Sequence, residues 1–323
     1  MSERGKSAKV HDCSGFIWKI PVQMQPGPAR GRKHKSFAMI RSRRIAGLAL
    51  LMCLAAIAAG AAWIIGPQPL GRIEIFPGVS FRSDILPVTE EGGGRVHVVV
   101  TDLRAPGLQL YVTPLDPAAL AKGFPYRLRR ISEVTRTEQL SVVVNAAMFS
   151  SQPKFWVPLP GDLARSAYGT LVADHVLADL QHASDVLWFD DQLQSHLRQW
   201  DDSLRPRDLA AAKWAIGGQI TLRDGQVVTP DRRPDSRTMA AIDRQNHLFL
   251  AVAEDLSPRR FSERLAELGA TGGLLLDGGS SSAMAIGGRP DGVNAGVVYG
   301  GWRPVASYFG VRVPAGAPTA GAR

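Results

Sequence analysis

Leu274-Leu275-Leu276 stands between Gly272-Gly273 and Asp277-Gly278-Gly279. An apolar triplet bounded by turn formers predicts a short strand, buried on both faces and ending on a carboxylate. A second strand of this kind is predicted over Leu140–Asn145, where three valines run into an amide. Period-two alternation predicts a strand at Val96–Val100 and a return strand at Leu108, Leu110 and Val112, turned at Ala105-Pro106-Gly107 into a hairpin. Further hairpins are predicted at Tyr168–Leu180, at Gln219–Val228 around Asp224-Gly225, and between Arg237–Ile242 and His247–Ala253. Helical spacing is read at Arg127–Gln139 and at Trp188–Arg207, a charged insertion, and it is clearest after Ser257-Pro258. There Phe261, Leu265 and Leu268 share a face, Ser257 suits the cap, Pro258 the first turn, and Gly269 the stop. Val305–Val313 is the last predicted strand. Many hairpins and few helices, without a strand–helix repeat, predict an α+β fold: a mixed, mostly antiparallel sheet built from hairpins with a few packed helices, preceded by one transmembrane helix.

That helix is read from residues 45–65, an apolar run of 21 residues without a charge. At ~1.5 Å per residue it spans roughly 30 Å, the thickness of a bilayer core. Residues 1–45 hold 11 of the 38 Lys and Arg but only 2 of the 29 Asp and Glu, so they carry the whole net charge of +9. The rest of the chain is balanced, which excludes a broad basic field for nucleic acid. Arg41, Arg43 and Arg44 flank the run, and the positive-inside rule puts residues 1–44 in the cytoplasm and the main domain outside, as a single-pass inner-membrane protein. A cleaved signal peptide starting at Met39 fits the same stretch, with small-residue sites at Ala56-Ile57-Ala58 and Ala59-Gly60-Ala61, and would give a secreted protein. Trp63-Ile64-Ile65 continues the run past both sites and favours the anchor. Either way the main domain is exported. The two cysteines, Cys13 and Cys53, precede it, which excludes a disulfide, a catalytic thiol and a thiolate metal site from it. The expected organisation is a basic tail (1–44), an anchor or signal segment (45–66), a linker with one short strand at Ile73–Phe81 (67–94), a main domain (95–313) and a disordered tail (314–323).

Several familiar sites are absent. Gly is missing two residues after Ser280, so no serine-hydrolase elbow forms. No phosphate loop, paired-glycine dinucleotide fingerprint or His/Cys zinc spacing occurs, and a hard metal at Asp277 would rest on one carboxylate. No cofactor or metal is implied. His97 reads as a strand-face residue. Phe155 and Trp156, in a Pro-rich loop, suit either a sugar-stacking platform or a core flap. What remains is a polar set at strand ends: Asn145, Arg237, Asp277, Ser280, Ser281 and Arg303, with Gly278 and Gly279 letting a ligand approach closely. Read locally, Asp277-Gly278-Gly279 is equally good chemistry for a plain turn.

Asn145-Ala-Ala-Met-Phe149, Ile216-Gly217-Gly218, Leu222-x-x-Gly225, Arg237-Thr238-x-Ala240-x-Ile242, Leu276-Asp277-Gly278-Gly279-Ser280-Ser281 and Arg303-Pro304-Val305-Ala306 follow one another in this order. This order, over residues 95–313, resembles the phosphodiester glycosidase family, which includes an enzyme that removes N-acetylglucosamine from a mannose phosphodiester. Its bacterial members are often labelled exopolysaccharide-biosynthesis proteins. The chain departs from the family at Ala146, Ala147 and Met148, where Gly-Gly-Phe is usual, and in a longer insertion around 185–212. The resemblance implies a glycosyl phosphodiester or envelope polysaccharide as substrate. Arg237 and Arg303 would then hold the phosphate, since arginine binds such a group through two parallel hydrogen bonds. Asp277 would attack, or activate water, at the oxocarbenium-like carbon. Asn145, Gly278, Gly279, Ser280 and Ser281 would contact substrate. Two function classes stay open: an envelope-side hydrolase, and an inactive relative that binds envelope glycans.

Overall fold

The computed structural model describes residues 70–152, 158–179, 184–199, 209–288 and 296–314. The basic tail, the apolar run, Phe155, Trp156 and the last nine residues lie outside these. Among the described residues no helix is long and apolar enough to cross a membrane.

The chain begins with β1 (Leu70–Phe76), β2 (Val79–Thr89), β3 (Gly92–Asp102) and β4 (Gln109–Val112), then α1 (Pro117–Leu120), β5 (Tyr126–Arg127) and α2 (Ile131–Thr137). It continues through β6 (Val142–Asn145), β7 (Met148–Gln152), β8 (Leu163–Tyr168), β9 (Leu171–Ala173), β10 (Val176–Asp179), β11 (Asp185–Phe189), β12 (Ser195–Arg198), β13 (Trp214–Arg223) and β14 (Gln226–Val227). It ends with β15 (Asp235–Ile242), β16 (His247–Leu256), α3 (Pro258–Glu267), β17 (Gly272–Leu275), β18 (Ala283–Ile286), β19 (Gly296–Gly300) and β20 (Tyr308–Arg312).

A large sheet runs β1-β2-β3-β16-β15-β17-β13-β11-β12, with β9 and β14 also on β13 and β10 on β9. A smaller sheet runs β19-β18-β6-β20-β4, and β5-β8-β7 form a third. Every strand pairing among the described residues is antiparallel. The pleat decides the layering. Val99, Ala240, Leu250, Val252 and Leu274 of the large sheet pack against Val142, Val144, Met284, Phe309 and Val311 of the smaller one. The alternate residues Val98, Met239, Ala241 and Phe249 face Phe261 and Leu265 of α3. The far face of the smaller sheet takes Ile131 and Val134 of α2. Four layers result, helix–sheet–sheet–helix, an α+β architecture of antiparallel sheets with few helices.

The hairpins at 171–179, 219–227 and 235–256 form as expected. So does α3, where the Ser257 hydroxyl accepts from Arg260 N at 3.1 Å and Pro258 opens the first turn. Four expectations are corrected. β3 and β4 do not form a hairpin: β2 and β16 occupy both edges of β3, so the chain crosses at Ala105-Pro106-Gly107 and β4 joins β20 in the other sheet. Within Trp188–Arg207, the described part is strand rather than helix. β11 and β12 pair in register, and Trp188 stacks on its cross-strand neighbour His196 at 3.8 Å. The segment read as a linker carries the long β1–β2 hairpin, which extends the large sheet. The helix read at Arg127–Gln139 is confined to Ile131–Thr137, because Arg127 lies in β5 and Arg129 bridges to Val305.

Candidate functional site

Asp277 sits where the chain changes sheets. β17 is paired on both sides, to β13 and β15, and Leu276 N still donates to Thr238 O at 2.9 Å. One residue later Asp277 N donates to Ala146 O, also at 2.9 Å, just past β6 in the smaller sheet. A buried strand must find new backbone partners where it ends, and this transfer supplies them. The chain then makes one 3-10 turn over Gly279–Ser281 and continues into β18. Gly279 adopts φ +59°, the left-handed region that favours glycine.

Asn145 pins the crossover from below. It ends β6 and is 1% exposed. Its Nδ2 donates to Asp277 O at 2.7 Å, while its Oδ1 accepts from Thr238 Oγ1 at 2.7 Å and from Ala283 N at 2.9 Å. One amide therefore ties β6, β15, the Asp277 loop and β18 together. Its oxygen is fully used, so its main contribution is to position Asp277. Ser307 acts similarly: its carbonyl accepts from Ala146 N at 3.0 Å and its hydroxyl from Ala147 N at 3.1 Å.

The Asp277 side chain is half-buried. Burial pushes its carboxyl above the usual value. The Ser281 hydroxyl, the Gly278 N–H at 3.0 Å from Oδ1 and the Arg303 charge pull downward without cancelling that rise. Arg303 donates from Nη1 to Ser280 Oγ at 2.6 Å, and its guanidinium lies over the Phe149 ring, 5.6 Å from the centroid. Arg237 approaches the same loop from another side. It alternates with Thr238 along β15, so the pleat sends it away from Asn145. A Cβ on Gly278 would lie 3.5 Å from Arg237 Nη1, and Nη2 donates to Arg233 O at 2.9 Å. The Nε atoms of Arg237 and Arg303, and Ser282 Oγ, are buried without a hydrogen-bond partner.

Asp277, Gly278, Gly279, Ser280, Ser281 and Arg303 are thus brought into one loop system, with Arg237 against its edge and Asn145 beneath it. Ser307, Ser236 and Tyr299 were not singled out from sequence, and Thr238 entered only as a motif residue beside Arg237. Thr238 leaves a trace there, a hydroxyl in the same alternation as core-facing Ala240. Ser307 and Tyr299 leave none, since their roles depend on contacts across sheets. Among the described residues no three of His, Cys, Asp and Glu are grouped to hold a metal. A cleft of about 350 Å³ lies elsewhere, lined by Thr113, Asp116, Arg127, Arg129 and Glu138 among others, and none of the site residues borders it.

The model of the phosphodiester glycosidase family matches residues 138–312, and the chain belongs to that family. The solved structures of similar fold include a hypothetical protein from Synechocystis, with TM-score 0.60 and 14% identity, covering 77% of this chain and 64% of that one. The chain therefore spans less than two thirds of that protein's length. They also include the catalytic domain of zebrafish N-acetylglucosamine-1-phosphodiester alpha-N-acetylglucosaminidase, auto-inhibited by its pro-peptide. Here the TM-score is 0.54 and the identity 13%, covering 76% of this chain and 87% of that one. At such identities the likeness is one of fold. No curated protein matches the chain.

Proposed function

We propose that the chain hydrolyses a glycosyl-1-phosphodiester at the Asp277 crossover, freeing the sugar from the phosphate. The observation that carries this reading is the company Asp277 keeps. Its carboxyl is raised by burial, Arg303 acts on it electrostatically, and two arginine Nε donors and one serine hydroxyl nearby are buried and unpaired. A buried unpaired donor is unfavourable unless a ligand satisfies it, and a phosphodiester oxygen is such a ligand. Arg303 and Arg237 hold the phosphate, and Ser280 and Ser281 orient its oxygens or a sugar hydroxyl. Asp277 takes a proton from water as the water oxygen bonds to the anomeric carbon. The bond from that carbon to the phosphate oxygen breaks, and its electron pair leaves with the phosphomonoester. A raised carboxyl is a better base than an ordinary one. Phosphate leaves readily, so a strong general acid is dispensable.

The alternative, an inactive glycan-binding relative, draws on Ala146, Ala147 and Met148. Ala146 and Ala147 are buried, and their backbones still serve Asp277 and Ser307. That supports hydrolysis over binding alone. The apolar run and flanking arginines suit an anchor with the domain on the periplasmic side, which supports a substrate from exopolysaccharide or cell-envelope glycan metabolism.

The test is a panel of sugar-1-phosphodiesters varying in sugar and anomer, incubated with the full chain in detergent and read by mass spectrometry for free sugar. Turnover of one of them, lost in Asp277→Asn, is expected. Binding without turnover across the panel would establish the glycan-binding relative instead. A reporter fused after Arg323 should be active only outside the cytoplasm.

A further inference from the structure

Arg237 lies on β15 of the large sheet and Arg303 in the loop that joins β19 to β20 of the smaller one, and one hydrogen bond between their near neighbours links the two sheets. Tyr299, on edge strand β19, places its hydroxyl 2.7 Å from Ser236 Oγ on β15. Ser236 Oγ donates its single proton to Glu254 O at 2.8 Å, so the phenol is the donor to Ser236. The Tyr299 ring lies beside His97, centroids 6.4 Å apart, and His97 stacks on Phe81 at 6.0 Å. His97 is 7% exposed and burial lowers its pKa, so Tyr299 has a neutral aromatic wall behind it.

The chain between Tyr299 and Arg303 has little freedom. Gly300 and Gly301 both take positive φ, +60° and +82°. A Cβ on Gly300 would collide with Ser282 O, and one on Gly301 would meet Ile131 Cγ2 at 2.7 Å. The strap thus runs in close contact with the end of the Asp277 loop. Beyond Arg303 it is fixed by Pro304 and by the bridge of Val305 to Arg129, with N···O distances of 2.9 and 3.1 Å. At its start Tyr299 and Gly300 pair with Met284 and Ala283 of β18, and the Tyr299 side chain ties it to the large sheet through Ser236, one residue before Arg237.

We propose that Tyr299 is a positioning residue that sets the span between Arg303 and Arg237, and so the geometry of the anion they share. That two arginines share an anion rests on the phosphodiester reading; that Tyr299 holds Arg303 in place does not. Tyr299→Phe keeps the ring and removes the bond. The primary measurement is the rate at which phenylglyoxal modifies Arg303 in the full chain, followed by peptide mass spectrometry, with Arg129 as the internal control. Modification of Arg303 should quicken about three- to ten-fold, the equivalent of losing one hydrogen bond, while Arg129 is unchanged. The melting temperature should stay within about 2 °C. On a diester that the parent cleaves, KM should rise by a similar factor with kcat nearly constant, and the effect should vanish in an Arg303→Ala background. Ser236→Ala leaves the phenol in place and carries the same readout should Tyr299→Phe not fold. An unchanged Arg303 rate in a folded variant overturns the proposal. A faster rate in a chain that cleaves no diester upholds the positioning and sinks the phosphodiester reading.

Discussion

Asn145 donates its side-chain amide to the main-chain carbonyl of Asp277 at 2.7 Å, so the residue that ends one sheet holds the residue that leaves the other. Its oxygen is shared between Thr238 and Ala283. Asn145→Ala strands a buried hydroxyl, a buried N–H and a carbonyl together. Each unpaired group costs on the order of 1–3 kcal/mol, so the variant should lose at least ~3 kcal/mol in denaturant unfolding. Asn145→Asp, nearly the same shape, should also destabilise, because a carboxylate would face the Asp277 carbonyl. A loss under ~1 kcal/mol in Asn145→Ala would mean that the backbone alone secures the crossover.

The elements that local chemistry decides were legible in the sequence. Ser257-Pro258 and Gly269 bound α3, and Asp224-Gly225 turns its hairpin, because caps and tight turns need only neighbours. The polar set at strand ends was legible too, since a carboxylate or amide closing an apolar run is conspicuous. Pairing across distance was not. Nothing in Val96–Val112 reveals that β2 and β16 will occupy both edges of β3 and drive β4 into the other sheet. Nor does Asn145, read alone, reveal that its side chain ties β6 to the Asp277 loop, β15 and β18.

Arg303 tests the phosphate assignment. Its guanidinium meets Ser280 through one nitrogen and lies over the Phe149 ring, and its Nε remains unpaired. Arg303→Lys keeps the charge but loses the planar fork. KM for the cleaved diester should rise about ten-fold, as for a lost charge-assisted hydrogen bond, with a smaller change in kcat. A KM equal to the parent's would place the phosphate elsewhere.

Asp84 concerns stability alone. It is buried on β2, 2.7 Å from Arg82 and 2.9 Å from Arg264, which joins α3 to the sheet. Burial by itself would raise its carboxyl, but the hydrogen bonds from Arg82 and Arg264 outweigh it and hold it below its usual value of 3.8. Asp84→Asn leaves the arginines half-paired and should cost about 3 kcal/mol. A depressed carboxyl lends stability that is present above pH 3.8 and lost as pH falls through the folded value. The gap between parent and variant should therefore narrow in acid. A gap independent of pH would mean that the charge is not what Asp84 contributes.

Asp277 has the opposite sign. Its carboxyl is raised by burial, so the folded chain holds that proton more tightly than the unfolded chain does. Stability therefore declines as pH climbs from 3.8 through the raised value, and the full penalty stands above it. Asp277→Asn removes the penalty. An amide oxygen can still accept from Gly278 N, and what is lost is the attraction to Arg303, which is weaker than the burial effect. The variant should unfold at equal or higher denaturant concentration than the parent at pH 7, and the difference should disappear below pH 3.8. Turnover should fall by ~100-fold or more, the scale for removing a catalytic base or acid. Affinity for the diester should hold or rise, since a negative charge beside the phosphate is gone. Stability and activity are thus expected to move in opposite directions at one side chain, as they do when a fold tolerates a strained group for its chemistry. If Asp277→Asn unfolds the domain, or keeps turnover within a few-fold of the parent, the carboxylate is a structural turn residue and the chemistry lies elsewhere.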